Sequence, residues 1–273
     1  MKSHFISGGG GIQLHLVETG PLQGRPILFV HGFSQCWLAW LRQLNSDLAS
    51  TYRLIALDLR GHGLSEKPRG AYGDSRLWAD DLQAVVQHLR LEHPVLCGWS
   101  YGPLAILDYL RHHGEDEIGG VNFVGGVTKL GSEAAVSVLT PEFLGLVPGF
   151  FSSQTEDSTR SLDTLLTLCH SEKLSSVDRY RMLGYNLSVP PYVREALFSR
   201  VLDNDDLLPR LRKPVLVTHG SADAVVKADV IDQQMSRIGS VQIRMMATGH
   251  ACFWDDAPAY NKYLRQFVEA VAH

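Results

Sequence analysis

The sequence lacks any apolar run of roughly 18 residues, the minimum for a helix that crosses a bilayer, so no membrane span is expected. Its first eleven residues hold no apolar core of signal-peptide length and are broken by glycines. Cysteine is scarce. Cys36, Cys97, Cys169 and Cys252 are too scattered for a disulfide framework and include no C-x-x-C pair. Free thiols in a reducing cytoplasm are the expectation. Basic clustering is absent as well: 25 Lys and Arg stand against 29 Asp and Glu, dispersed along the chain, which argues against a nucleic-acid partner. There is no H-E-x-x-H, and His112 and His113, being adjacent, would fall on different faces of a helix, so no metal site is expected. Gly61-His62-Gly63 places Glu66 where a dinucleotide fingerprint needs its third glycine, which removes a nicotinamide site. No cofactor is expected, and the oligomeric state is left open.

What remains is a chain of 273 residues, 45% hydrophobic and 20% charged, long enough for one large α/β domain carrying an insertion. Alternating Ile12, Leu14 and Leu16 read as a half-buried strand, paired across a flexible glycine turn with a short strand near His4–Ile6. Continuous apolar runs at Pro26–Val30 and Leu54–Leu57, and a short one at Pro94–Cys97, suit strands buried on both faces, and Val121–Val124, Val215–Thr218 and Val241–Met246 read as further strands. Helical spacing recurs between them, at Trp37–Leu48, at Ser75–Leu91 behind an Asp74 N-cap, after Pro103, at Val230–Ile238 and after Pro258. From about 129 to 208 no strand-like run occurs. That stretch holds only helical patterns, at Ser132–Leu139, Thr159–His170, Ser175–Asn186 and Tyr192–Leu202. The expected fold is therefore α/β, a mostly parallel sheet with helices on both faces and a helical insertion.

In such a sheet, chemistry gathers beyond the carboxyl ends of the strands. Gly98-Trp99-Ser100-Tyr101-Gly102 lies there, at a strand–turn–helix junction. A serine on so tight a turn needs small residues two positions to either side. On its own the five-residue pattern is common. Two later strand ends carry Gly220-Ser221-Ala222-Asp223 and Gly249-His250, so Ser100, Asp223 and His250 share one edge in the order Ser, Asp, His. The rival reading of Asp223 is a turn or N-cap residue, and that of His250 is a loop histidine packed on Phe253 or Trp254. His219 directly precedes the Asp223 loop and has no matching acid, while His31 and His62 read as structural. Backbone N–H groups of Tyr101 and Phe33 are the oxyanion candidates. Trp37, Trp99, Phe143 and Tyr185 are candidate substrate contacts, each equally readable as core.

With His31-Gly32-Phe33, Asp58-Leu59-Arg60-Gly61-His62-Gly63-Leu64-Ser65, the Ser100 pentapeptide, Gly220-Ser221-Ala222-Asp223 and Gly249-His250 in place, the chain resembles the α/β-hydrolase-fold serine hydrolases. It looks like the small, lidded kind that includes esterases, enol-lactonases and cofactor-free haloperoxidase-like enzymes. Pro103 departs from that pattern, where many relatives have a further glycine. The resemblance implies a core of residues 1–126 and 209–273 and a helical cap over 127–208. It also implies acyl transfer through Ser100 on a small-molecule ester or lactone. Perhydrolysis, lyase chemistry and a ligand-binding receptor on the same fold stay open.

Overall fold

A computed structural model describes residues 1–271. Eight strands form one sheet: β1 Lys2–Ser7, β2 Gln13–Thr19, β3 Pro26–Val30, β4 Arg53–Leu57, β5 Val95–Trp99, β6 Gly120–Val124, β7 Val215–Gly220 and β8 Val241–Met246. Their spatial order is β1-β2-β4-β3-β5-β6-β7-β8. β2 runs antiparallel to both of its neighbours, β1 and β4, and every other neighbouring pair is parallel. Strands β3, β5, β6 and β7 are buried at every position, as the continuous apolar runs require.

Eleven α-helical segments follow in chain order among the described residues: α1 Leu41–Leu44, α2 Ser75–Leu89, α3 Gly102–His113, α4 Glu133–Ser137, α5 Pro141–Phe151, α6 Thr155–Cys169, α7 Ser176–Leu187, α8 Pro191–Phe198, α9 Val230–Gln233, α10 Cys252–Asp255 and α11 Ala257–Ala270. Successive residues of a strand point to opposite faces. Along β5, Cys97 accordingly meets Tyr260 of α11, while a side chain at Gly98 would meet Ile106 of α3. The sheet is thus sandwiched between α11 and α3. Between β6 and β7 the chain is helical from α4 to α8, apart from isolated bridges Leu130–Leu202 and Leu139–Val226.

Four sequence expectations change. The Val230–Ile238 pattern is the four-residue α9 followed by a 3-10 turn over Met235–Arg237. The Trp37–Leu48 pattern is a 3-10 turn over Trp37–Trp40, the four-residue α1 and a second 3-10 turn that starts at Asp47. Helix α5 goes unread in the sequence because Pro141, Gly145, Pro148 and Gly149 look like breakers. Pro141 instead occupies its first turn behind the Thr140 N-cap, whose side chain accepts from the Phe143 amide. The glycine turn at Gly8–Gly11 is not loose. A Cβ at Gly9 would lie 2.5 Å from the Leu77 carbonyl oxygen, and the Gly9 N–H donates to Asp81 Oδ1 at 2.8 Å.

That last bond belongs to a buried cluster that fixes the β1–β2 hairpin on the sheet. Arg60 donates to both oxygens of Asp81 (2.7 and 2.8 Å) and to the carbonyls of Gly9, Leu77 and Ala71. Neither side chain has any exposure. Breaking one partner of such a pair strands the other in the interior. Asp81→Asn is therefore expected to lower unfolding free energy by about 3–5 kcal/mol, read as a loss of denaturation midpoint.

Candidate active site

The sharp turn after β5 puts Ser100 at φ 59°, a conformation few non-glycine residues adopt. Its backbone N–H donates to the Val124 carbonyl at 2.9 Å, which fixes the turn against the end of β6. The flanking glycines are sterically required. A Cβ at Gly98 would lie 2.7 Å from Pro103 N, and one at Gly102 would lie 2.5 Å from the Val30 oxygen. Gly32 meets the serine itself, since a Cβ there would approach Ser100 Cβ to 2.9 Å. Pro103, in the first turn of α3, has its own counterpart: a Cβ at Gly126 would meet Pro103 Cγ at 2.4 Å.

His250 and Asp223 come together at the same edge. His250 Nδ1 lies 2.7 Å from Asp223 Oδ2, and both side chains are about 1% exposed. The other oxygen, Oδ1, accepts the N–H groups of Val225 and Val226, each at 2.8 Å. The Asp223 carboxylate thus accepts from its own turn with one oxygen and meets a histidine with the other. His219 is nearer to this acid than the sequence suggested, with Nε2 3.5 Å from Asp223 Oδ2. That nitrogen also lies 3.1 Å from the Val226 carbonyl, and burial holds the imidazole below its ordinary pKa. Gly125, at φ 49°, leaves room for His250: a Cβ there would lie 3.1 Å from Nδ1.

Among the described residues, neither the Phe33 nor the Tyr101 backbone N–H donates to a protein acceptor. The loop carrying Phe33 is held from both sides. His31 Nε2 accepts the Leu59 N–H at 3.1 Å, and Ser34, at φ 59°, donates Oγ–H to the Asn186 carbonyl at 3.2 Å. Asp58 fixes the adjoining loops by accepting from the amides of Trp37 and Leu64 and bonding His15 Nδ1. The Tyr101 hydroxyl accepts from Arg200, whose guanidinium also pairs with buried Asp108 at 2.6 Å.

Ser100 opens on a cavity of about 40 Å³ walled by Phe33, Leu139, Phe143, Phe198, Val225 and Val226, among others. The Phe33 and Phe198 rings meet edge to face at 4.9 Å, and Phe143 stacks on Phe198 at 6.2 Å. Lys129 also borders the cavity, with Nζ 2.5 Å from Asp205. Of the four candidate substrate contacts, the wall contains Phe143 alone. Trp37 lies away from it, its ring 6.5 Å from His15. Trp99 and Tyr185 border a separate small cavity with Gln35, Met182 and Phe253, because Trp99 precedes the turn and faces away from the serine's opening. Trp99 instead supports His250: the rings lie 5.5 Å apart and Nε1–H donates to the His250 carbonyl at 3.1 Å. Phe198, which sequence reasoning did not single out, sits at the end of α8. Its apolar position in a helical pattern gave no sign of which cavity it would face.

The sheet order, the strand-end turn and the connectivity define an α/β hydrolase fold. A model of the alpha/beta hydrolase fold family matches residues 25–257, and the chain belongs to that family. The esterase RhEst1 from Rhodococcus sp. ECU1013 superposes with a TM-score of 0.94 at 33% identity, over 100% of both chains. The AB hydrolase superfamily protein YisY of Bacillus subtilis (strain 168) is 26% identical over 284 residues, covering 97% of this chain and 98% of the relative. Non-heme chloroperoxidase CPO-A1 of Kitasatospora aureofaciens is 24% identical over 268 residues, covering 94% and 96%. Among the described residues no helix is long and apolar enough to cross a membrane.

Proposed function

We propose that the chain is a serine hydrolase that cleaves a small carboxylic ester or lactone through an acyl-enzyme on Ser100. The observation that carries the reading is the buried His250–Asp223 pair at 2.7 Å on the strand edge where Ser100 opens onto an apolar cavity. A carboxylate at Nδ1 holds the imidazole in the tautomer whose Nε2 accepts a proton. Ser100 Oγ attacks the carbonyl carbon and His250 takes its proton. The oxyanion is met by the Phe33 and Tyr101 amides, and the alcohol leaves with the proton from His250. Water, deprotonated by His250, then attacks the acyl-enzyme and returns Ser100 with the free acid. The helical block over 127–208 acts as the cap, since Leu139, Phe143 and Phe198 supply cavity walls from it.

The cavity's size and apolar wall favour a short, uncharged acyl group. A series of p-nitrophenyl esters should be cleaved fastest with two to four acyl carbons and fall steeply by eight, with a fluorophosphonate probe labelling Ser100. No cleavage of any member and no labelling would sink the proposal. A second reading is supported by the resemblance to a non-heme chloroperoxidase. Hydrogen peroxide replaces water at the acyl-enzyme, releasing a peracid, and peracid formation from the same ester in peroxide distinguishes it.

A further inference from the structure

Asp223 holds the His250 ring at one nitrogen only, so the ring is placed no better than its own main chain. That main chain is secured at three successive points. The Gly249 N–H donates to Asp255 Oδ2 at 3.0 Å, the His250 carbonyl accepts from Trp99, and the Ala251 N–H donates to the Cys169 carbonyl at 2.8 Å. Two of the three partners come from outside the sheet. Cys169 ends α6 of the helical block, and Asp255 ends α10.

Asp255 gathers more donors than a surface carboxylate would. Oδ1 lies 2.7 Å from His170 Nδ1, and Oδ2 accepts both the backbone N–H and the hydroxyl of Ser171 at 2.8 Å. The His170 and Asp255 side chains are about 4% and 6% exposed. Burial alone would raise the Asp255 pKa, but the hydrogen bonds from His170 and Ser171 outweigh it and hold the carboxyl below its ordinary value. The junction has no slack, since a Cβ at Gly249 would stand 2.8 Å from Ser171 N and 3.0 Å from the Cys169 oxygen. One carboxylate therefore joins the residues that follow α6, 84 and 85 positions before it in the chain, to Gly249, the residue before His250.

We infer that Asp255, paired with His170 and Ser171, is a positioning residue for His250, so that the helical block sets the base as well as covering the cavity. The inference rests on the reading of His250 as the general base. A displacement of about 1 Å at a reacting group can cost about 100-fold in rate, so a loosened Gly249–Ala251 segment should be felt in the chemical step rather than in binding.

The test compares Asp255→Asn, His170→Gln and Ser171→Ala with the wild-type chain, active sites being counted by fluorophosphonate labelling. For Asp255→Asn, kcat on p-nitrophenyl butyrate should fall by about 10- to 100-fold with KM within about twofold, and the labelling rate constant should fall in parallel. His170→Gln and Ser171→Ala should show smaller losses of the same pattern. A purely structural staple would lower the melting temperature while leaving kcat per labelled site and labelling rate at wild-type values, and that result overturns the inference. Should Asp255→Asn fail to fold, the other two variants decide by the same readouts. If the wild-type chain neither labels at Ser100 nor cleaves esters, it is the hydrolase reading that fails. If it does both and the variants match it, only the positioning role fails.

Discussion

Ser100→Ala is expected to lower kcat for p-nitrophenyl esters by about a million-fold, to the edge of detection, with KM little changed and fluorophosphonate labelling lost. The size of the effect follows from what the substitution leaves. The methyl group keeps the turn and the cavity wall but cannot form the acyl-enzyme, so His250 and Asp223 have no nucleophile to activate. Residual catalysis of about a thousand-fold over water would persist, from the Phe33 and Tyr101 amides acting on a bound ester with water attacking directly. The fold should be undisturbed, because φ 59° at position 100 is imposed by the packing of Gly98 against Pro103 and of Gly102 against Val30, and not by the hydroxyl. Turnover within tenfold of wild type would remove Ser100 from the chemistry.

The inner parallel strands were legible because β3, β5, β6 and β7 are buried on both faces and write mostly apolar runs, with β3 matching its run at both ends. The strand-end residues were legible for a related reason. Glycines forced by close approach, as at Gly98 and Gly102, leave a sequence mark that does not depend on distant partners. Helix α5 was illegible because proline at a first helical turn and glycine against Ser161 look locally like breakers, and only the packing of α5 against α6 shows otherwise. The cavity wall was illegible for the same kind of reason. Phe198 and Tyr185 sit in similar helical patterns, yet one faces Ser100 and the other a separate cavity beside Trp99. Asp255 carries no motif at all, and its contacts with His170 and Ser171 exist only once α6 returns to the sheet edge.

Asp223→Asn separates the two tasks of one carboxylate. Oδ1 accepts the Val225 and Val226 N–H groups and Oδ2 faces His250 Nδ1, so the native group is an acceptor on both sides. Asparagine is isosteric but offers an acceptor on one side only. With its oxygen kept on the two amides, its NH2 faces His250 and selects the tautomer protonated at Nε2, which cannot take the serine proton. The expected result is a fall in kcat of about ten-thousand-fold with the fold preserved, as when the orienting acid of a serine triad is amidated. With the amide flipped, the two backbone donors lose their acceptor and the turn between β7 and the Val225–Val226 wall loosens, which would lower the melting temperature. Asp223→Ala loses both interactions and should show the rate loss together with about 1–2 kcal/mol of destabilisation. Kinetics and thermal denaturation on the two variants therefore read the tasks separately. If Asp223→Asn costs stability while kcat stays within tenfold of wild type, the carboxylate only caps its turn, and His250 must be oriented by the contacts of its own main chain.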